Sequence, residues 1–302
     1  MTIVEAYPRI KLANILYATD FSPSAELALP YAAAIARHFG GRLTIAHVIS
    51  PEIYDYNPVE TIPPILKVLL NNADKQMERI SVSRALGGVP HQTIVRDGEI
   101  WESLAAIAAE YQSDLIVVGT HGRRGAKKRI LGSIAEEIYR LASIPVLTVG
   151  PKCILPALEK LRILYATDFS SESLRALPYA VSLAQEFGGL LTLLHVAPGA
   201  APESDMRMKL GEFFTEELHG LLPAEALPWA EVDYRVKFGQ AVEGILEAAH
   251  ESAAGMIVMG VRGSGTLQGS MPRFGSTAQW VVTSASAPVL TVRGKAFTKE
   301  GV

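Results

Sequence analysis

The chain contains itself twice. Ile15-Leu16-Tyr17-Ala18-Thr19-Asp20-Phe21-Ser22 returns as Ile163-Leu164-Tyr165-Ala166-Thr167-Asp168-Phe169-Ser170. From residue 14 to 48 the copies align without a gap at an offset of 148, with 21 of 35 positions identical. The likeness returns at the far ends, where Pro145-Val146-Leu147-Thr148-Val149 matches Pro288-Val289-Leu290-Thr291-Val292. A period near 145 is too long for a solenoid unit, so this is a duplicated domain and not a repeat array. The length of 302 residues, at roughly 150 per domain, agrees. Domain 1 is read as 1–150 and domain 2 as 151–302, with a linker over 150–161 that contains Pro151 and Pro156.

Within each copy, short apolar runs alternate with helical patterns. Strands are expected near 14–19, 43–49, 92–96, 114–119 and 145–149, with helices near 23–38, 62–86, 99–112 and 133–143. The second copy repeats the order, with strands near 162–167, 190–196, 231–237, 255–260 and 288–292. Runs such as Leu115-Ile116-Val117-Val118 are apolar without alternation and rich in β-branched residues, which suits a strand covered on both faces. Strands separated by helices imply right-handed crossovers and a parallel sheet between two helical layers. The fold class is α/β, twice over.

Composition narrows the function. Hydrophobic residues make up 49% and charged residues 20%, which excludes a disordered or disulfide-stapled chain. The lone Cys153 excludes an internal disulfide and a cysteine-rich metal site. No apolar stretch is long enough to span a membrane, and the first residues lack a basic start leading into an apolar run, so a cytoplasmic protein is expected. The net charge of −3 argues against nucleic acid as a partner. The first half is balanced, with 15 Lys/Arg and 15 Asp/Glu, yet Arg123, Arg124, Lys127, Lys128 and Arg129 crowd into one short segment. The second half, with 13 and 16, has no such cluster.

Ligands of open parallel sheets gather beyond the carboxyl ends of the strands, where strand order reverses. Asp20 follows the first strand and Val48 ends the second; Asp168 and Val196 match them. After the fourth strand comes Gly119-Thr120-His121-Gly122, then nine residues, then Gly132-Ser133 opening a helix. Glycines let backbone approach a ligand closely, and N–H groups at a helix start face an anion with a favourable dipole. Those are the requirements for holding phosphates.

The G-x2-G-x9-G-S spacing, with Ala-Thr-Asp after the first strand and His-Val after the second, resembles the universal stress protein family over nearly all of both halves. The resemblance implies two tandem Rossmann-like domains, each a five-stranded parallel sheet of order 3-2-1-4-5 with helices on both faces. It implies an ATP pocket, with Mg²⁺ or Mn²⁺ accompanying the phosphates. Asp20 and Val48 then take the adenosine end, and Gly119, His121, Gly122, Gly132 and Ser133 surround ribose and phosphates, with Arg123 beside them. In the second half Asp168, Val196, Gly260, Arg262, Gly263, Gly275 and Ser276 take the same places. There the spacing departs, with eleven residues between Gly263 and Gly275, a lengthening that would misplace phosphate donors. Family members also resemble one another in dimerising through the fifth strand. A tandem chain can satisfy that pairing internally as a pseudo-dimer, which leaves a further homodimer open.

Several of these residues have structural readings too. Ser133 with Glu136, and Ser276 with Gln279, fit a capping box. Asp20 and Asp168 suit a turn after a strand, and His47 and His195 suit packing or a hydrogen bond at a strand end. The basic run suits a solvated face as well as phosphate attraction. The sequence has no Walker A motif, no G-x-G-x-x-G, no G-x-S-x-G and no H-E-x-x-H, and nothing pairs a nucleophile with a base. A stress-response binding or sensing protein with at most slow ATP hydrolysis is the primary reading. The alternatives are an interaction module with vestigial pockets and an ATP-using adenylyl-transfer enzyme.

Overall fold

Strands buried on both faces need helices on both sides, and that layering is what the chain builds. The computed structural model describes residues 10–51, 62–120, 133–155, 158–199, 204–222, 231–261 and 276–293. They fall into two compact units, one over Lys11–Pro151 and one that joins Ile10 to the residues from Lys152 onward.

In the first unit β1 (Asn14–Ala18), β2 (Arg42–Ile49), β3 (His91–Asp97), β4 (Leu115–Gly119) and β5 (Val146–Val149) lie in the order β3-β2-β1-β4-β5. Every neighbouring pair is parallel, with Ile15 opposite both Leu43 and Leu115. The connecting helices are α1 (Pro23–His38), α2 (Ile62–Ser81), α3 (Ile100–Glu110) and α4 (Ser133–Leu141). Side chains along β1 alternate between two cores. Tyr17 is fully buried on the α1 side and donates its hydroxyl to the Ala25 carbonyl at 2.7 Å. Leu16 points the other way, into a cluster with Val48, Leu104, Ile107, Ile116 and Ile138. Burial pushes the Tyr17 phenol well above the usual tyrosine range.

Helix α1 begins at a Ser22 cap, whose Oγ accepts from the Ala25 N–H at 3.2 Å, with proline in the first turn where its missing donor costs nothing. It is closed by the Gly40-Gly41 pair that the second copy repeats as Gly188-Gly189. Gly40 sits at φ +60°, and a Cβ on Gly41 would stand 2.5 Å from the Ala13 carbonyl oxygen. The first glycine reverses the chain and the second lets it pass under β1.

The helix expected over 62–86 is shorter. Helix α2 stops at Ser81, and a single 3₁₀ turn follows at Arg84–Leu86. The Ser83 hydroxyl accepts the Ala85 N–H and Gly87 turns left-handed at φ 53°, so local side-chain bonding replaces the last helical turn.

The second unit repeats the plan: β6 (Ile163–Thr167), β7 (Leu190–Ala197), β8 (Glu231–Phe238), β9 (Met256–Gly260) and β10 (Val289–Val292) lie in the order β8-β7-β6-β9-β10, all parallel. One element departs. Where the first unit has the continuous α1, the second has α5 (Ser171–Leu174) and then α6 (Leu177–Phe187). Ser173 stands where the first copy has Ala25. Its hydroxyl donates to the Ser170 carbonyl at 2.9 Å, which also accepts the Leu174 N–H, and meets the Thr167 hydroxyl at 2.9 Å; the helix divides after Leu174. The later helices are α7 (Ser204–Gly220), α8 (Ala241–Glu251) and α9 (Ser276–Ser284).

Candidate functional site

In the first unit β1 lies between β2 and β4, and the connections leave it toward opposite edges of the sheet. That is the reversal point of the topology, the place at which open parallel sheets bind ligands. Asp20, Val48 and Gly119 stand at the carboxyl ends of these three adjacent strands. In the second unit Asp168, Val196 and Gly260 occupy the same ends of β6, β7 and β9.

The turn that carries Asp20 is built from its own side chains. The Thr19 hydroxyl accepts the Phe21 N–H at 3.0 Å, and the Asp20 carboxylate accepts the Ser22 N–H at 3.0 Å. With the Ser22 cap, these bonds lead the chain from the strand straight into α1. The turn reading of Asp20 is therefore met, and it fixes the direction of the carboxylate. Asp168 does the same for the Ser170 N–H at 3.0 Å, and its Oδ1 also accepts the Ser170 hydroxyl.

The turn holds strain. Phe21 and Phe169 adopt the left-handed region at φ 60° and 59°, at a cost of about 1–3 kcal/mol for a bulky residue. Packing offsets it. The Phe21 ring lies 4.3 Å from the His47 ring, and the Phe169 ring 4.7 Å from the His195 ring. Each imidazole bonds the carbonyl two residues before that phenylalanine: His47 Nδ1 meets the Thr19 oxygen at 2.8 Å and His195 Nδ1 the Thr167 oxygen at 2.9 Å. A carbonyl only accepts, so Nδ1 carries the proton in both rings. His195 is further enclosed by Phe214, 4.4 Å away on α7. Its burial holds the imidazole below the ordinary histidine value, against the opposing pull of the Thr167 carbonyl and Asp168. The expectation of packing or a hydrogen bond at these histidines holds.

Gly119 serves the fold before any ligand arrives. A Cβ there would lie 2.5 Å from the Ser24 oxygen and 2.9 Å from the Ala25 nitrogen, inside the first turn of α1. Gly260 meets the backbone of Glu172 and Ser173 more closely still. Val48 and Val196 face the opposite helical layer: Val48 belongs to the Leu104–Ile107 cluster, and a Cβ on Gly244 of α8 would reach 2.9 Å from Val196.

Ser133 and Ser276 open α4 and α9, where the spacing places them. The rest of the two glycine motifs, His121, Gly122, Arg123 and Gly132 in one and Arg262, Gly263 and Gly275 in the other, lies outside the described residues, as does the basic run 123–129.

The two units match one family model, the universal stress protein family, over residues 11–150 and 161–293. The chain belongs to that family. A universal stress protein of Mycolicibacterium smegmatis is 28% identical over 292 residues, covering 93% of this chain and 97% of the relative. A single-domain universal stress protein of Methanocaldococcus jannaschii is 30% identical over 154 residues, covering 46% of this chain and 95% of its own. Among solved structures, a universal stress protein from Archaeoglobus fulgidus superposes with a TM-score of 0.72, covering 95% of this chain and 100% of that one. At 22% identity that likeness speaks for the fold. Tandem universal stress protein domains thus account for both halves.

Reading the motif alone leaves out the residues that shape this turn, Thr19, Phe21 and Ser22 with Thr167, Phe169 and Ser170. Their signal was present, since all six lie in the repeated octapeptide.

Proposed function

We propose that this universal stress protein binds an adenine nucleotide, ATP foremost, in the crevice at the carboxyl ends of β1, β2 and β4, and acts as a stress-response binding or sensing protein with at most slow hydrolysis. The observation that carries the reading is the convergence of Asp20, Val48 and Gly119 on adjacent strand ends at the topological reversal. The groups suit the adenosine end: an accepting carboxylate whose direction the Ser22 N–H fixes, and an apolar valine on the neighbouring strand. The α4 N-terminus at Ser133 offers backbone N–H groups of the kind phosphates use, and His121, Gly122, Arg123 and Gly132 precede it in sequence. In this reading Mg²⁺ or Mn²⁺ enters with the phosphates and neutralises part of their charge. Asp168, Val196, Arg262, Gly263, Gly275 and Ser276 form a second adenosine site, weaker toward triphosphate because its glycine spacing is longer and its loop lacks the cation cluster.

Mass spectrometry of nucleotide released from denatured, freshly purified protein tests the reading. Retained adenine nucleotide supports it; empty protein that also fails to bind added ATP returns the chain to the interaction-module alternative. Calorimetry on Gly122→Val and Gly263→Val ranks the sites, with the larger loss of ATP affinity expected in the first. Antiparallel pairing of Val146–Val149 with Val289–Val292 is proposed on the sequence argument alone, since an unpaired apolar edge invites a partner. Cysteines placed at the ends of these segments should then cross-link within one chain.

A further inference from the structure

We infer that His47 is a positioning residue for the nucleotide site, holding Asp20 at the crevice by gripping the residues on both sides of it; the inference rests on the nucleotide reading above.

Asp20 lies two residues beyond the end of β1 at Ala18, and besides its own bond to the Ser22 N–H its place follows from the backbone before and after it. Thr19 is clamped by two consecutive residues of β2: its N–H donates to the Ala46 carbonyl at 2.9 Å, and its carbonyl accepts from His47 Nδ1 at 2.8 Å. Phe21, held left-handed at φ 60°, rests its ring on the same imidazole at 4.3 Å with an interplanar angle of 40°. One side chain therefore grips both neighbours of Asp20. Val48, the adenosine-end residue of β2, is the next residue after His47, so the clamp ties the two to one strand end.

The second copy repeats the carbonyl bond, the ring contact and the left-handed turn. The bond to Thr167 is 2.9 Å, the ring distance is 4.7 Å, the angle is 38°, and Phe169 has φ 59°. A side chain that only filled space would need no donor. An apolar residue of similar size would leave the Thr19 carbonyl, on a residue 6% exposed, without this bond.

The test is ATP calorimetry on the full chain carrying Gly263→Val, so that first-domain binding is read, with His47→Asn and His47→Phe added separately. Asparagine places an amide N–H where imidazole has Nδ1–H, whereas phenylalanine keeps a ring and loses the donor. His47→Phe should weaken ATP binding about tenfold, and His47→Asn should stay within about threefold of the parent, the scale of one hydrogen bond. Parent-like affinity in His47→Phe, or equal loss in both variants, overturns the positioning role while leaving the nucleotide reading intact. A Gly263→Val parent and an unmodified chain that both fail to bind ATP overturn the two together. Nitrogen-15 NMR of the unmodified protein needs no folded variant: His47 should be the Nδ1–H tautomer, and an Nε2–H tautomer refutes the clamp.

Discussion

Replacing Gly119 with alanine asks whether that glycine is there for the fold. The added methyl would sit 2.5 Å from the Ser24 oxygen, 2.7 Å from its carbonyl carbon and 2.9 Å from the Ala25 nitrogen. All three are backbone atoms in the first turn of α1, so no side chain can rotate away. The carbon–carbon approach is about 1 Å short of the roughly 3.5 Å at which two carbons attract, so α1 must retreat from β4 or β4 must bend. Overpacking of this kind costs about 1–3 kcal/mol. For a unit of this size that lowers the melting midpoint by roughly 3–10 °C. Gly211 provides the control. It lies inside α7 with nothing within 4 Å of its missing Cβ, so Gly211→Ala should stabilise by about 0.5–1 kcal/mol. Calorimetric melting of the two variants should therefore shift in opposite directions. Gly260→Ala should cost the second unit more than Gly119→Ala costs the first, since its clash with α5 is tighter. A Gly119→Ala protein that melts at or above the parent's midpoint would refute the close-approach argument.

Asp20→Asn keeps an oxygen for the Ser22 N–H but loses the charge, so thermal stability should stay near the parent's while ATP affinity falls roughly tenfold or more in titration calorimetry. Tyr17→Phe removes the bond to the Ala25 carbonyl and should cost about 1–2 kcal/mol, read from urea unfolding midpoints. His195 favours its neutral form in the fold, so the unfolded chain binds its proton first. Its share of stability is complete above the unfolded value near 6.5 and is lost as pH falls through that value toward the lower folded one. His195→Asn, which retains an Nδ donor, should flatten this acid limb in unfolding curves taken from pH 7.5 to 5 (about the histidine range).

Much of this architecture is legible in the residues. The non-alternating run at 115–118 reports burial on both faces, and Leu115, Ile116, Val117 and Val118 are all buried. The Gly40-Gly41 repeat is visible too, but its cause lies in the distance from Gly41 to Ala13, which no local pattern encodes. Gly119 answers to two demands: glycine near a phosphate motif suggests ligand approach, and the packing against Ser24 requires it as well, a contact that no local pattern encodes. The split between α5 and α6 escapes a reading by homology between the copies. The copies differ at all five positions from 23 to 27 and 171 to 175, and partners of Ser173 such as Thr167 are supplied only by the tertiary fold. The early stop of α2 is a contest between propensity and local bonding at Ser83, decided over a few residues.

The divided helix has a bearing on how such a protein can diversify. When a one-domain protein assembles from identical copies, every mutation is expressed at each equivalent position, and a change that harms one crevice harms its twin. Fusion removes that bond. One copy has a divided helix where its counterpart is continuous, so neither form has to be tolerated twice. Each half of the chain therefore answers to selection separately, so one crevice can keep its inherited geometry while the other drifts toward a different affinity or a different ligand.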